Sequence, residues 1–273
     1  GKPMAQEEVA RCNRSPVPDL LFDDVRDERV EEIRPYVDCP ESVDAGTPLH
    51  RVTVFLTYRC NLTCPYCKTI ARNEKELLEF PQKGLSYTYD EFRSLMDSLA
   101  ASPIRHLHFT GGEATLVRGL SEMVRLAKKR GVRYTSITSN GTVPFRVYAE
   151  LVESGMDEIR ISIDAFEPGM GDALTGRRGA WERTVRTIRE LAAFRDTGRA
   201  FFLIANTVTG LRNRTHLAGI VRFLLSLGPD DIKLITEVQE KESLGDFPEA
   251  GTVLSEIEEM MNAALHGKPT QKS

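Results

Sequence analysis

From Arg51 onward the chain alternates between short β-branched and apolar runs and amphipathic helical stretches, and this alternation limits it to an α/β fold. The spacing predicts strands at Val52–Leu56, His106–Thr110, Arg133–Thr138, Glu158–Ile163, Ala200–Thr207 and Asp231–Ile235. Helices are predicted over Tyr89–Ala101, Leu120–Arg130, Pro144–Ser154, Trp181–Phe194 and Thr215–Ser226, with a last one over Thr252–Leu265. Three of them stop at a glycine (Gly131, Gly155, Gly228) before a β-rich run, as expected of αβ junctions. Six such units imply a parallel sheet, either open or curled toward a barrel. In both cases reactive residues gather at the C-terminal ends of the strands. Residues 1–48, rich in Pro, Asp, Glu and Arg, read as an irregular N-terminal extension with one short helix near Asp27–Ile33. The core is expected over 49–240, followed by a C-terminal helix and tail over 241–273.

The chemistry is concentrated in the loop after the first strand, Cys60-Asn61-Leu62-Thr63-Cys64-Pro65-Tyr66-Cys67. Three thiolates at i, i+4 and i+7 can converge on one inorganic centre. A [4Fe–4S] cluster normally takes four thiolates, so three would leave one iron open. A zinc site is the alternative, with His106 and His108 at alternating strand spacing as the histidines it would draw on, but CxxxCxxC is not the usual CxxC zinc spacing. Disulfides fit poorly, since five cysteines is an odd number and no secretory pattern is present. The expected setting is a reducing cytoplasm. No apolar run is long enough to span a membrane. A net charge of −4 gives no general attraction to nucleic acid.

The later strands deliver polar residues to the same end. The second ends in Thr110-Gly111-Gly112-Glu113 and the third in Thr138-Ser139-Asn140-Gly141. The fourth carries Ser162 and Asp164, and the fifth Asn206 and Thr207. Singly, these are ordinary turn and cap residues: Gly111-Gly112 suits a tight turn and Asp164 a helix cap. Their common position at successive strand ends is what points to a site.

The cysteine loop with Tyr66 before its last Cys, the Gly-Gly-Glu, the Ser-Asn-Gly and the Ser-Ile-Asp together resemble the radical SAM superfamily over roughly 50–240. Within it, the chain resembles the core of molybdenum-cofactor-cyclase-like members without their C-terminal cluster, since no cysteine follows Cys67. The resemblance implies a partial TIM-type (β/α)6 barrel. It also implies one [4Fe–4S] cluster on Cys60, Cys64 and Cys67, with S-adenosylmethionine chelating the open iron. Gly111, Gly112 and Glu113 would meet the methionine amino group, while Ser139, Asn140, Ser162 and Asp164 would hold ribose and carboxylate. Asn206 joins that cofactor-binding set. Tyr66 would lie against the adenine, with Leu234 and Ile235 on its other side. Loop packing for Tyr66 and plain strand core for Leu234 and Ile235 remain the alternatives.

Arg160, alternating onto the face of Ser162 and Asp164, and Arg177 (or Arg178) in the Asp172–Trp181 stretch are the candidate substrate contacts. Cys12 and Cys39 read as incidental thiols or hydrogen-atom donors. The implied activity is hydrogen abstraction by a 5′-deoxyadenosyl radical from a small polar molecule or short peptide, in natural-product or cofactor biosynthesis. An external donor such as flavodoxin or ferredoxin would supply the electron. A peptide- or RNA-modifying member, or an iron–sulfur electron carrier or sensor without a substrate, stays as the alternative.

Overall fold

The computed structural model describes residues 48–67, 86–236, 251–252 and 255–259. The N-terminal extension with its expected helix near Asp27–Ile33, and Cys12 and Cys39, lie outside these. Six parallel strands form one sheet in chain order: β1 Leu49–Phe55, β2 Ile104–Thr110, β3 Tyr134–Ser139, β4 Glu158–Ser162, β5 Phe202–Thr209 and β6 Asp231–Thr236. Between them run α1 Tyr89–Ser98, α2 Leu120–Lys129, α3 Phe145–Glu153, the pair α4 Pro168–Thr175 and α5 Ala180–Asp196, and α6 Leu217–Ser226. Strand neighbours follow sequence order and the described parts of β1 and β6 do not pair, so the sheet is the partial (β/α)6 barrel.

The period of two on each strand sorts the side chains. Val54, Leu107, Phe109, Ile137, Ile159, Ile161, Leu203 and Ala205 are buried in one cluster with Phe92, Met123, Tyr148, Leu151, Ile188, Ile220 and Leu224 of the helices. Each fully buried aliphatic or aromatic side chain there contributes roughly 2–3 kcal/mol of transfer free energy. A capping box of Thr88 and Glu91 starts α1: the Thr88 hydroxyl accepts from Glu91 N at 3.2 Å and the Glu91 carboxylate accepts from Thr88 N at 2.7 Å.

Several boundaries differ from the sequence reading, and one helix was not foreseen. β1 begins three positions before Val52, because Leu49 finds a register partner in Ile104. Helix α4 has Pro168, Gly169 and Gly171 among its eight residues, too weak an intrinsic propensity to show in a periodicity reading. Its one local signal was Pro168 at the first helical turn. At the C-terminal end 251–252 and 255–259 are helical, and Ile257 is buried against Leu217 and Val221.

The opposite face of the sheet is polar. Register places Thr53, His108, Ser136, Glu158 and Phe202 in one row across five strands. The Ser136 hydroxyl lies 2.7 Å from His106 Nε2 and 2.7 Å from His108 Nδ1, so it donates to one ring and accepts from the other, linking their tautomers. Burial, then the neighbouring cations, pushes His106 down to about 4 and His108 to about 3, from 6.5. Both folded values lie below the unfolded one, so the unfolded chain takes up protons first as pH falls through about 6.5, and stability is lost on the way to about 4. After discounting for solvent screening this is expected to amount to about 1–3 kcal/mol. A paired measurement of Tm at pH 7 and 4.5 should show a steeper acid loss for the native chain than for His106→Gln/His108→Gln. Parallel curves would rule the histidines out as its source.

Candidate active site at the strand C-terminal ends

The cysteine loop leaves β1 at Phe55 and is tied down at its start. Leu56 N donates to Thr110 O at 2.8 Å, and Thr57 is buried, its hydroxyl 2.7 Å from that of Ser86. Cys60, Cys64 and Cys67 are free thiols, all half-buried. Cys67 N donates to Cys64 O at 3.0 Å, and Cys60 Sγ accepts from Leu62 N at 3.4 Å and Asn140 Nδ2 at 3.8 Å. Burial pushes Cys64 up to about 12 and raises Cys60, so metal would displace protons from these thiols on binding. Among the described residues no three His, Cys, Asp or Glu side chains draw close enough to hold a single metal ion.

The Gly-Gly-Glu turn docks onto this loop. Gly112 N donates to Thr57 O at 2.6 Å and Glu113 N to Arg59 O at 2.8 Å. A Cβ on Gly111, whose φ is +153°, would stand 2.6 Å from Thr57 O, and one on Gly112 would strike the Arg59 carbonyl. The close approach allowed by these glycines is therefore to the chain itself. Glu113 is buried, and its carboxylate accepts four hydrogen bonds: Oε1 from Thr115 N (3.1 Å), Thr115 Oγ1 (2.5 Å) and Ser139 Oγ (2.8 Å), and Oε2 from Asn140 N (2.7 Å). Burial raises its pKa and these four donors oppose the rise. Ser139 also lies 2.7 Å from the buried Tyr148 hydroxyl, so both Glu113 and Ser139 hold the scaffold from the helix side.

Asn140 faces the loop instead. Its Nδ2 donates to Asn61 Oδ1 at 2.8 Å, its Oδ1 accepts from Thr142 Oγ1 at 2.6 Å, and Asn61 Nδ2 donates to Thr142 Oγ1 at 2.8 Å. Asn61 and Thr142 are site residues the sequence reading missed. So are Thr115 and Tyr148, since only the fold brings them beside Glu113. For Asn61 the available signal was its place directly after a presumptive ligand.

Asp164 accepts a short hydrogen bond from the Tyr66 hydroxyl and, through Oδ1, one from Val208 N at 2.6 Å. Its backbone carbonyl accepts from Asn213 Nδ2 at 3.0 Å. Tyr66 is thus pinned to the end of β4, its phenol pushed well up by burial and by Asp164. Ser162, Asp164, Asn140, Leu62, Cys64 and Tyr66 line one crevice beside the loop. Asn206, in register with Ser162, is 5% exposed, and its Oδ1 is buried with no hydrogen-bond partner. Leu234 and Ile235 do not act as a pair. Leu234 registers with Thr207 and Ile235 with Val208, so they point to opposite faces, and only Ile235 shares that of Asn206.

Arg177 was expected to reach toward substrate. Its Nη1 donates to Asn61 O at 2.8 Å, so it grips the cysteine loop. Thr63 N donates to Thr175 O at 3.0 Å in the same contact, and a Cβ on Gly176 (φ +65°) would collide with Thr63. The far side of this clamp is fixed by the Asp172 carboxylate, which accepts from Gly179 N (2.5 Å) and Trp181 N (3.1 Å). Arg160 lies on the polar face as expected, its Nε paired with Glu158 Oε1, while Glu158 Oε2 accepts from Tyr134 at 2.9 Å.

The donor set fits a [4Fe–4S] cluster with an exogenous ligand on its fourth iron: three free thiols on one loop, and, at the same end of the sheet on β5, a buried amide oxygen without a hydrogen-bond partner.

The family model of the radical SAM superfamily matches residues 54–223. Over 192 residues the chain is 29% identical to the PqqA peptide cyclase of Bradyrhizobium diazoefficiens and 30% to that of Rhodopseudomonas palustris, matching 69% of this chain in each case. It spans about half the length of these relatives, 46% and 47%. Among solved structures it is similar to Streptococcus suis SuiB bound to S-adenosylmethionine, with a TM-score of 0.63 at 14% identity over 94% of this chain and 57% of that one. It is also similar to anSMEcpe with bound AdoMet and Cp18Cys peptide, with a TM-score of 0.58 at 16% identity over 80% and 62% of the two chains. A third similar structure is SuiB bound to the precursor peptide SuiA, with a TM-score of 0.59 at 14% identity over 80% of this chain and 47% of that one. The fold, the three-cysteine loop and the family match carry one conclusion: this chain belongs to the radical SAM superfamily.

Proposed function

We propose that this chain binds one [4Fe–4S] cluster through Cys60, Cys64 and Cys67, binds S-adenosylmethionine beside it, and modifies a peptide. The observation that carries the reading is the loop itself: three free, half-buried thiols at a strand C-terminal end. When bound, cluster and S-adenosylmethionine together supply a 5′-deoxyadenosyl radical able to take hydrogen from an unactivated carbon. The protein's part is placement. Arg177, Asn61 and Asn140 hold the loop, and Asn140 presents an N–H to Cys60 Sγ. Ser162 offers the neighbouring crevice a hydroxyl, and Asn206, its register partner on β5, carries an unpartnered acceptor in Oδ1. Tyr66, held by Asp164, gives that crevice an aromatic wall for the adenine, with Ile235 on the facing strand. Glu113 supports this set from behind.

The relatives named as peptide cyclases and the neighbouring folds bound to peptides support a peptide over other substrates. An acidic chain, net −4, also weighs against RNA. A low-potential donor such as flavodoxin or ferredoxin would supply the electron. Anaerobic reconstitution with iron and sulfide, followed by dithionite and S-adenosylmethionine, is expected to yield 5′-deoxyadenosine and methionine. It is also expected to change the electron paramagnetic resonance spectrum of the reduced cluster on S-adenosylmethionine addition. No nucleoside and no spectral change would sink the reading in favour of a cluster that only carries or senses electrons.

A further inference from the structure

The polar face of the sheet carries a second set of groups that neither cluster nor S-adenosylmethionine requires. Arg160 sits one row below Ser162, in register with Thr138 on one side and Ile204 on the other. Its side chain is 13% exposed and its partner Glu158 only 9%, so the pair is largely withdrawn from water. Glu158 engages the guanidinium through Nε alone, and its other oxygen is taken by Tyr134. Arginine has five N–H donors. The four on Nη1 and Nη2 have no acceptor among the described residues and are not sealed from solvent, so an incoming ligand can reach them.

The surroundings share the sign of that charge. Arg51, on β1 in the row of His106 and Tyr134, is pushed down by burial and by Arg160. Lys233, in the row of Asn206, shares the face and adds to the field at His108. Among the described residues Glu158, Asp164 and Asp231 lie on the same face; Asp164 is engaged by Tyr66 and Val208, and Asp231 accepts from Ile232 N at 2.8 Å. The histidines between them are held neutral. This face therefore offers a planar fork whose Nη1 and Nη2 ends have no acceptor among the described residues, one row beneath the crevice at the loop.

We infer that Arg160 receives a carboxylate of the substrate, a side-chain or terminal carboxylate of the peptide, with Arg51 and Lys233 supplying the supporting field. A carboxylate matches the flat two-point geometry of Nη1 and Nη2 and is the anion a peptide itself carries. The inference rests on the proposed radical reading and deepens it: a bound carboxylate on β4 would set which substrate carbon faces the loop.

The test uses the reconstituted full chain with S-adenosylmethionine, titrated calorimetrically with N-acetylglutamate N-methylamide, its neutral glutamine counterpart, and the phosphoserine analogue. The carboxylate is expected to bind roughly tenfold or more tighter than the amide, the ratio of a charge-assisted pair to a neutral contact. Arg160→Gln should bring that ratio to about one, and Arg160→Lys, which keeps the charge but loses the fork, should leave it in between. Because Arg160→Gln strands Glu158, the double variant Glu158→Gln/Arg160→Gln removes both charges and is expected to fold and still lack the preference. Equal binding of carboxylate and amide, a preference that survives in both glutamine variants, or tighter binding of the phosphoserine analogue would each overturn the inference. Failure of the radical reading shows separately, as absence of 5′-deoxyadenosine from the native chain.

Discussion

Cys64→Ala is expected to abolish S-adenosylmethionine cleavage while the protein stays folded. With two thiolates left on the loop, a cluster that normally takes four ligands is held too weakly to persist, and iron content after reconstitution should fall to background. The fold should survive because the loop is anchored elsewhere: by Gly112 N and Glu113 N to Thr57 and Arg59, by Thr63 N to Thr175, and by Arg177 to Asn61. None of those bonds uses the Cys64 side chain. Far-ultraviolet circular dichroism and Tm are expected to match the native apo-chain to within about 1 kcal/mol, the cost of one small half-buried group. Unfolding of this variant would instead mark the loop as a structural metal site, whose removal unfolds the domain.

The largest loss of stability is expected from Glu113→Ala. The carboxylate is the common acceptor for Thr115 N, Thr115 Oγ1, Ser139 Oγ and Asn140 N, all in a site closed to water. Removing it leaves those donors buried without partners, and a cavity beside Tyr148. The expected cost is about 3–5 kcal/mol, or roughly 10 °C in Tm for a chain of this size. Glu113→Gln should cost less, about 1–3 kcal/mol, since the amide keeps one acceptor but turns a donor toward one of the former donors. Because Asn140 hangs on Glu113, S-adenosylmethionine affinity should fall in both variants alongside Tm. Affinity that falls with Tm unchanged would show that Glu113 meets the ligand directly and is no strut.

These two residues also show what was legible beforehand. The cysteines were readable because metal ligation needs particular atoms at particular local spacings, and all three lie within one loop. The α/β class was readable because hydrophobic period is local too. Helix α4 was not, since Pro168 and its glycines carry little helical preference and tertiary packing holds them. The role of Arg177 was equally hidden. Its position in a charged loop suited a substrate contact, yet the folded chain brings Asn61 O to 2.8 Å from it.

Local patterning, then, determined the strand and helix succession, the end of the sheet that carries the chemistry, and the three thiols that would hold the cluster. Register and long-range closure decided the rest. Whether Leu234 or Ile235 faces the site depends on which strand position each is paired with. Whether Glu113 is a ligand or a strut depends on residues brought beside it from β3. The free fork of Arg160 exists because Glu158, two residues back on the same face, engages only Nε. Contacts of this kind join residues far apart in the chain or depend on side-chain orientation, and no pattern of neighbouring residue types encodes them.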